Sequence, residues 1–359
     1  MITELTPEKI AAALGQRVLG QEEAVREMSV ALLKKLSGLG SGNILLIGSS
    51  GTGKTTLMRA VEDYLAADPE LAGASTVVRI HAKVLAEESD QSRAGEGVLR
   101  RLFAKAKEAL GDETDPEVIL RRAEQGIVFV DEVDKIRSHV GGVAYVDGIR
   151  AQEALLTLIE NEAVPLPLPE WAGGGVATVN SSGLLFVCGG AFEGLYDNVL
   201  DRVTVGRDRG ALQPVTVVSE GSVEQRIQFT LRDWLELEDL FDYGMSPQFL
   251  SRFDARIILN DLGEDELVQI FLENDDSSLR QAQVFFESRG IRLAVSPAAV
   301  RRIAVEACQQ PRLGARALRE VFRRVIRRFE FQPEAHTVNG ALMIDLPEVE
   351  KILSGDAGS

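Results

Sequence analysis

One eight-residue stretch, Gly48-Ser49-Ser50-Gly51-Thr52-Gly53-Lys54-Thr55, constrains this chain more than any other. It fits G-x-x-x-x-G-K-T, follows the apolar run "NILLI" (Asn43 to Ile47) and opens a helix-patterned run, "TTLMRAVEDYL". The context of strand, glycine loop and helix gives such a motif its physical meaning. Loop amides converge at a helix N-terminus, where the peptide dipoles favour an anion. Glycines let the backbone approach phosphate closely, Lys54 neutralises β/γ-phosphate charge, and the Thr55 hydroxyl can ligate Mg²⁺. The candidate nucleotide-binding residues are therefore Ser49, Ser50, Gly51, Thr52, Gly53, Lys54, Thr55 and Thr56. A glycine-rich turn with a chance lysine would have no need of both flanks.

A second signal is "GIVFVDEVDK" (Gly126 to Lys135), an apolar run ending in Asp131 and Glu132. An aspartate at such a strand end can hold the Mg²⁺ shell beside Thr55. The adjacent glutamate can polarise a water for in-line attack on a γ-phosphate. Standing alone, the pair would read as an ordinary acidic strand terminus; beside the phosphate loop that becomes the minor reading. Transfer to another acceptor needs an acceptor pocket, for which there is no signal, so the pair favours hydrolysis.

Further apolar runs, "TVVRIH", "GLLFVC" and "ARIIL", recur with helical patterns between them. Continuous apolar strands alternating with helices indicate a parallel sheet covered on both faces. Val98, Leu99, Leu102, Phe103, Ala106 and Leu110 share one side of a helix, and Ile149, Leu155, Leu156 and Ile159 one side of another. After Asn260 the pattern turns mainly helical, with two short strand-like pieces, "IRLAV" and "ALMID". The expected organisation is a large domain over residues 1–260, a smaller helical domain over 261–353 and a disordered tail over 354–359.

Composition removes several function classes. The net charge of −16 argues against a general nucleic-acid binder, which needs a basic footprint. Three dispersed histidines without cysteine neighbours argue against zinc, and no local signature of a peptide-bond hydrolase is present. Two lone cysteines and the lack of a leader pattern lead us to expect a reducing cytoplasm, and no apolar run approaches the ~20 residues of a membrane span.

The ordered series "VLGQ", "GSSGTGKT", "RAEQGIVFVDEVDKI", "QEALLTLIE", "LLFVCGGAF", "SPQFLSRFDARI" and "RLGARALRE" resembles the AAA+ ATPases, and within them the ClpX/HslU branch of protein unfoldases. The resemblance runs from Arg17 to about Leu353. It implies a P-loop α/β fold, a three-layer αβα parallel sheet with a smaller, mainly helical C-terminal domain, using ATP and Mg²⁺. Val18 and Leu19 fall where the family packs around adenine. Arg252 looks like the arginine finger that reaches a neighbouring subunit's γ-phosphate, and Arg316 like the sensor arginine of the small domain. Both suit a guanidinium meeting charged phosphate oxygens with two hydrogen bonds. The plainer alternatives are a surface ion pair for Arg252 and, for Arg316, one arginine in a solvated helix, within a stretch from Pro311 to Phe329 that holds seven. A finger acting in trans implies a homo-oligomeric ring, expected as a hexamer. Cys188 receives no role beyond packing.

Departures from the family are equally informative. The family's aromatic-hydrophobic grip on a threaded chain has the form G-Y-V-G; the aligned residues here are Ser89-Asp90-Gln91-Ser92. Small polar side chains supply little of the bulky contact that such a grip needs. The peptidase-docking I-G-F is missing from residues 204–218, and the family's cysteine-rich zinc-binding domain is expected to be lacking ahead of "VLGQ". The basic entrance loop is replaced by "PLPLPEWAGGGVATVN", read as a loop stiffened by prolines at one end and loosened by glycines at the other. Tyr145 and Trp171 sit where loops could carry target contact instead, or could pack locally. The expected function is ATP-driven remodelling, disassembly or partial unfolding of a specific protein target, without a ClpP-type peptidase. A nucleotide-gated scaffold and a nucleic-acid-dependent regulator are the alternatives. The intact lysine, acidic pair and two arginines favour the motor.

Overall fold

In the structure, a computed structural model, the described residues are 5–40, 42–68, 71–72, 75–87, 95–113, 115–160, 163–205, 214–219, 222–227 and 229–355. In chain order the strands are β1 (Asn43–Ile47), β2 (Val77–His81), β3 (Ile127–Asp131), β4 (His139–Val140), β5 (Val143–Ala144), β6 (Val164–Pro167) and β7 (Val176–Val179). They continue with β8 (Leu185–Gly190), β9 (Pro214–Ser219), β10 (Ser222–Ile227), β11 (Phe253–Ile258), β12 (Arg292–Val295) and β13 (Ala341–Ile344).

The five apolar runs read from the sequence form one parallel sheet of order β11-β1-β8-β3-β2. Burial explains why these strands carry no alternation. β8 is buried along its whole length, and β1 and β3 at all but one residue, because helices cover both faces. Helix Glu96–Leu110 buries the expected face, Val98, Leu99, Leu102, Phe103 and Ala106. Helix Val146–Glu160 is rotated from expectation: Ala151, Ala154, Leu155 and Leu158 are buried, while Leu156 and Ile159 are only partly covered. The two alanines let this helix sit close to its neighbours, so the small side decides which stripe faces inward.

Two compact units form: Met1–Gly15 with Glu23–Gly48 and Lys54–Leu259, and Gln16–Glu22 with Ser49–Gly53 and Asn260–Ser359. The second has its own core, including the buried Phe271, Phe286, Phe322 and Phe329, with Phe271 and Phe322 packed edge to face at 4.9 Å. Its strand-like pieces are real and pair in parallel as β12–β13. Helix Pro297–Cys308 starts as its sequence dictates, with the Ser296 side chain accepting from the Ala299 N–H and proline in the first turn.

Three antiparallel hairpins, β4–β5, β6–β7 and β9–β10, were not marked by the sequence reading. The β6–β7 hairpin corrects the entrance-loop expectation. Leu168 N–H donates to the Gly175 carbonyl at 3.0 Å, which makes 168/175 a bonded pair. Counting back along the ladder puts Pro165, opposite Thr178, and Pro167, opposite Val176, at the non-bonded positions, where a missing N–H costs nothing. Gly173, Gly174 and Gly175 all have positive φ and make the turn that other residues could not. Residues Ser89 to Ser92, part of the docking region (206–213) and the tail at 356–359 lie outside the described residues. Among the described residues no helix is long and apolar enough to cross a membrane.

Lys35 is an unusual member of the first unit's interior: 9% exposed, with its ammonium on the Gly183 carbonyl and, among the described residues, no carboxylate partner. Burial pushes it down to about 8 from its ordinary 10.5. A depressed base leaves the unfolded chain holding more protons between those two pH values, so stability should rise with pH across that window. The rise is at most about 3 kcal/mol, and it should be absent in Lys35→Met. Denaturant titrations of both proteins at pH 7.5 to 10.5 check this; identical slopes would contradict it.

Candidate active site

The site grows from the carboxyl ends of β1, β8 and β3, which are adjacent in the sheet. β1 ends at the phosphate loop and helix Lys54–Ala67 begins with its lysine. Lys54 is buried, and its ammonium donates to the Gly48 carbonyl at 2.5 Å, so the charge is folded back over the loop's first residue. The Thr55 hydroxyl donates to Asp131 Oδ2 at 3.2 Å, bringing together the two oxygen ligands inferred from sequence. Asp131 Oδ1 accepts the Glu132 N–H at 2.9 Å, so both oxygens of this carboxylate are engaged.

Glu132 occupies the left-handed region at φ 59°, a conformation that costs a non-glycine residue of order 1 kcal/mol. Its side chain is half-exposed and stands 4.0 Å from His81 Nδ1, at the end of the neighbouring β2. At the end of β8, on the other side of β3, Gly189 and Gly190 let neighbouring side chains approach the strand closely. A Cβ on Gly189 would lie 2.7 Å from Met58 Cε, and one on Gly190 would lie 2.9 Å from Asp134 Oδ1. Asp134 is buried, accepts the Ala191 N–H at 3.1 Å and has the Lys135 ammonium at 3.3 Å, which ties the exit of β3 to that of β8. Cys188, before the glycine pair, is fully buried and its thiol is pushed up by burial, consistent with packing alone.

Within the second unit, Thr52 Oγ1 donates to the Ser49 carbonyl at 2.9 Å and the Ala315 N–H to the Gly51 carbonyl at 3.2 Å. Gly51 has φ +76°, and a Cβ there would lie 2.2 Å from the Leu313 carbonyl oxygen. Gln21 is buried; its amide donates to the carbonyls of Thr52 and Asn260 at 3.1 and 2.8 Å and its oxygen accepts the Asn260 N–H at 2.9 Å. Val18 is buried and Leu19 half-buried in the same unit, while Arg316 is exposed at the start of helix Ala315–Phe331.

Arg252 is not part of the Thr55–Asp131 cluster. Its guanidinium meets Glu160 at 2.5 Å, and its carbonyl accepts from Asn43. Trp171 packs locally, stacked on Phe103 at 5.8 Å with the Lys107 ammonium over its ring, yet remains half-exposed. Tyr145 follows the β4–β5 hairpin and is exposed together with Val140, Val143 and Val146. Sequence reasoning passed over Gln21, His81, Asp134, Glu160 and the glycine pair. "CGG" at a strand end was the one visible hint, because adjacent glycines inside an apolar strand signal a close approach.

Comparison with known proteins agrees with this geometry. The family model "AAA domain (Cdc48 subfamily)" matches residues 40–256, and the model of the C-terminal, D2-small domain of ClpB matches 262–329. The chain is 31% identical to "ATP-dependent Clp protease ATP-binding subunit ClpX 3" of Methylococcus capsulatus, over 97% of this chain and 84% of the relative. It is 32% identical to the ClpX subunit of Bacteroides thetaiotaomicron, over 88% of this chain and 74% of the relative. The ClpX subunit of Treponema denticola is 28% identical, over 89% and 75%. The chain belongs to the AAA family of ATPases and, within it, to the ClpX-like Clp proteins.

Proposed function

We propose that this chain is the subunit of a homo-oligomeric ring, a hexamer, that hydrolyses ATP to remodel, disassemble or partly unfold one particular protein target without a ClpP-type peptidase. The observation that carries the reading is the Thr55–Asp131 pair at 3.2 Å with Glu132 next in the chain. A hydroxyl and a carboxylate suit Mg²⁺, a hard cation that keeps waters and phosphate oxygens as most of its ligands. When bound with ATP, that ion supplies charge neutralisation across the phosphates. Thr55 and Asp131 hold it, Lys54 turns from the Gly48 carbonyl to phosphate, and Glu132 orients the attacking water and accepts its proton. Val18 and Leu19 pack against adenine. Arg316 reports the nucleotide from the chain's own small domain, and Arg252 meets the γ-phosphate bound by a neighbour. The strained backbone at Glu132 supports its role, since strain is retained where geometry matters more than stability.

Target handling differs from a general threading grip. Ser89 to Ser92 offer small polar side chains, whereas the β4–β5 hairpin and the two residues after it expose Val140, Val143, Tyr145 and Val146. We assign target contact to this hairpin. The departure from I-G-F in residues 204–218 supports action without a peptidase.

Glu132→Gln is the decisive variant. It should bind ATP, lose hydrolysis by roughly a hundredfold or more and retain the target in a pull-down with ATP. A trapped chain that assembles no ring and holds no partner removes the remodelling reading. In Tyr145→Ala, stimulation of ATP hydrolysis by the captured target should fall sharply; unchanged stimulation would return Tyr145 to a packing role.

A further inference from the structure

We infer that Glu160 is a positioning residue for Arg252, orienting the guanidinium for its work at a neighbouring subunit's nucleotide. This rests on the finger reading of Arg252 given above. The backbone at Arg252 has little freedom. Its N–H donates to the Phe249 carbonyl at 3.2 Å, and its own carbonyl accepts from Asn43 Nδ2 at 3.0 Å. Asn43 is fixed in turn through Oδ1, which accepts the Phe186 N–H at 3.1 Å, and the fully buried Phe249 packs edge to face with Phe253 at 4.9 Å. What remains variable is the long side chain itself.

Glu160 is the last residue of helix Val146–Glu160, and that helix is locked to the segment leading into Arg252 by buried Gln152. The Gln152 amide donates to the carbonyls of Ile136 and Gly244 at 2.7 and 3.1 Å, and its oxygen accepts the Ser246 N–H at 2.9 Å. The two ends of the ion pair are therefore delivered by rigid elements cross-linked to each other. Glu160 Oε1 takes Nη2 at 2.5 Å, and among the described residues no other carboxylate pairs with this guanidinium. Arginine presents five donors in a fixed fork, so holding one edge aims the other. Stability does not account for the pair, because both side chains are nearly half-exposed, at 46% and 40%, where an ion pair contributes little.

Steady-state ATP hydrolysis by the full chain, with ring assembly followed by sedimentation, tests this in Glu160→Gln, Glu160→Asp, Arg252→Ala and the Glu160→Gln/Arg252→Ala double variant. Glu160→Gln should lower kcat about tenfold and leave KM for ATP within about twofold, since orientation rather than binding is lost. Glu160→Asp, which keeps the charge at shorter reach, should recover part of the loss. In the Arg252→Ala background the glutamate change should add nothing. A Glu160→Gln kcat within about twofold of the parent, beside an inactive Arg252→Ala, overturns the positioning role and leaves the finger reading standing. Full kcat in Arg252→Ala removes the finger reading and this inference with it. If both Glu160 variants lose assembly while the assembled fraction keeps its kcat, the pair is structural and the inference is again overturned.

Discussion

Asp131 faces the Thr55 hydroxyl at 3.2 Å because the strands behind both residues have no slack. β1 and β3 flank β8, each is hydrogen-bonded on two sides, and each is packed above and below by apolar side chains. Strands held in this way fix their carboxyl ends, and in an open parallel sheet those ends are where loops gather around a ligand. The positions of the lysine and the acidic pair, and the close packing at Gly189 and Gly190, all follow from that placement. A looser sheet could not keep the Asp131 carboxylate, the Thr55 hydroxyl and Glu132 in one arrangement.

Much of this was legible from sequence for a physical reason: fully buried parallel strands need uninterrupted apolar runs, and a phosphate loop needs a strand before it and a helix after it. The sheet and the phosphate site could be read from those two demands, and the ATPase family from the ordered series of motifs that surrounds them. The hairpins were not legible because they follow no such rule. Pro165 and Pro167 look incompatible with a strand until the ladder is known, since only pairing shows that they fall at non-bonded positions. The rotation of helix Val146–Glu160 escaped because alanine carries almost no hydrophobic signal while strongly favouring close packing. Glu160 and Gln152 escaped for a different reason. Their roles depend on partners about ninety residues away, and nothing in their local pattern announces them.

The contrast between the catalytic strand ends and the surrounding loops fits the chemistry each must perform. Phosphate is the same ligand in every member of a nucleotide-hydrolysing family, so its cradle tolerates little change. The loops around the sheet are under no such constraint and can be replaced without disturbing it. Trp171, half-covered by Phe103 and Lys107 on a proline-bearing hairpin, is the kind of feature such replacement produces: rigidly presented and only partly enclosed.

The Asn43 side chain lies at the entry of β1 and carries the Arg252 carbonyl, while the phosphate loop leaves the same strand at its other end. Five residues of strand, roughly 16 Å of backbone, thus join the anchor of Arg252 to the start of the phosphate-loop motif. A strand bonded on both sides cannot buckle, so a shift at one end arrives at the other as a shift of similar size. Under the trans role proposed for Arg252, β1 would couple the nucleotide met by that arginine to the one bound by its own chain, through the most rigid element of the fold rather than through any of its loops.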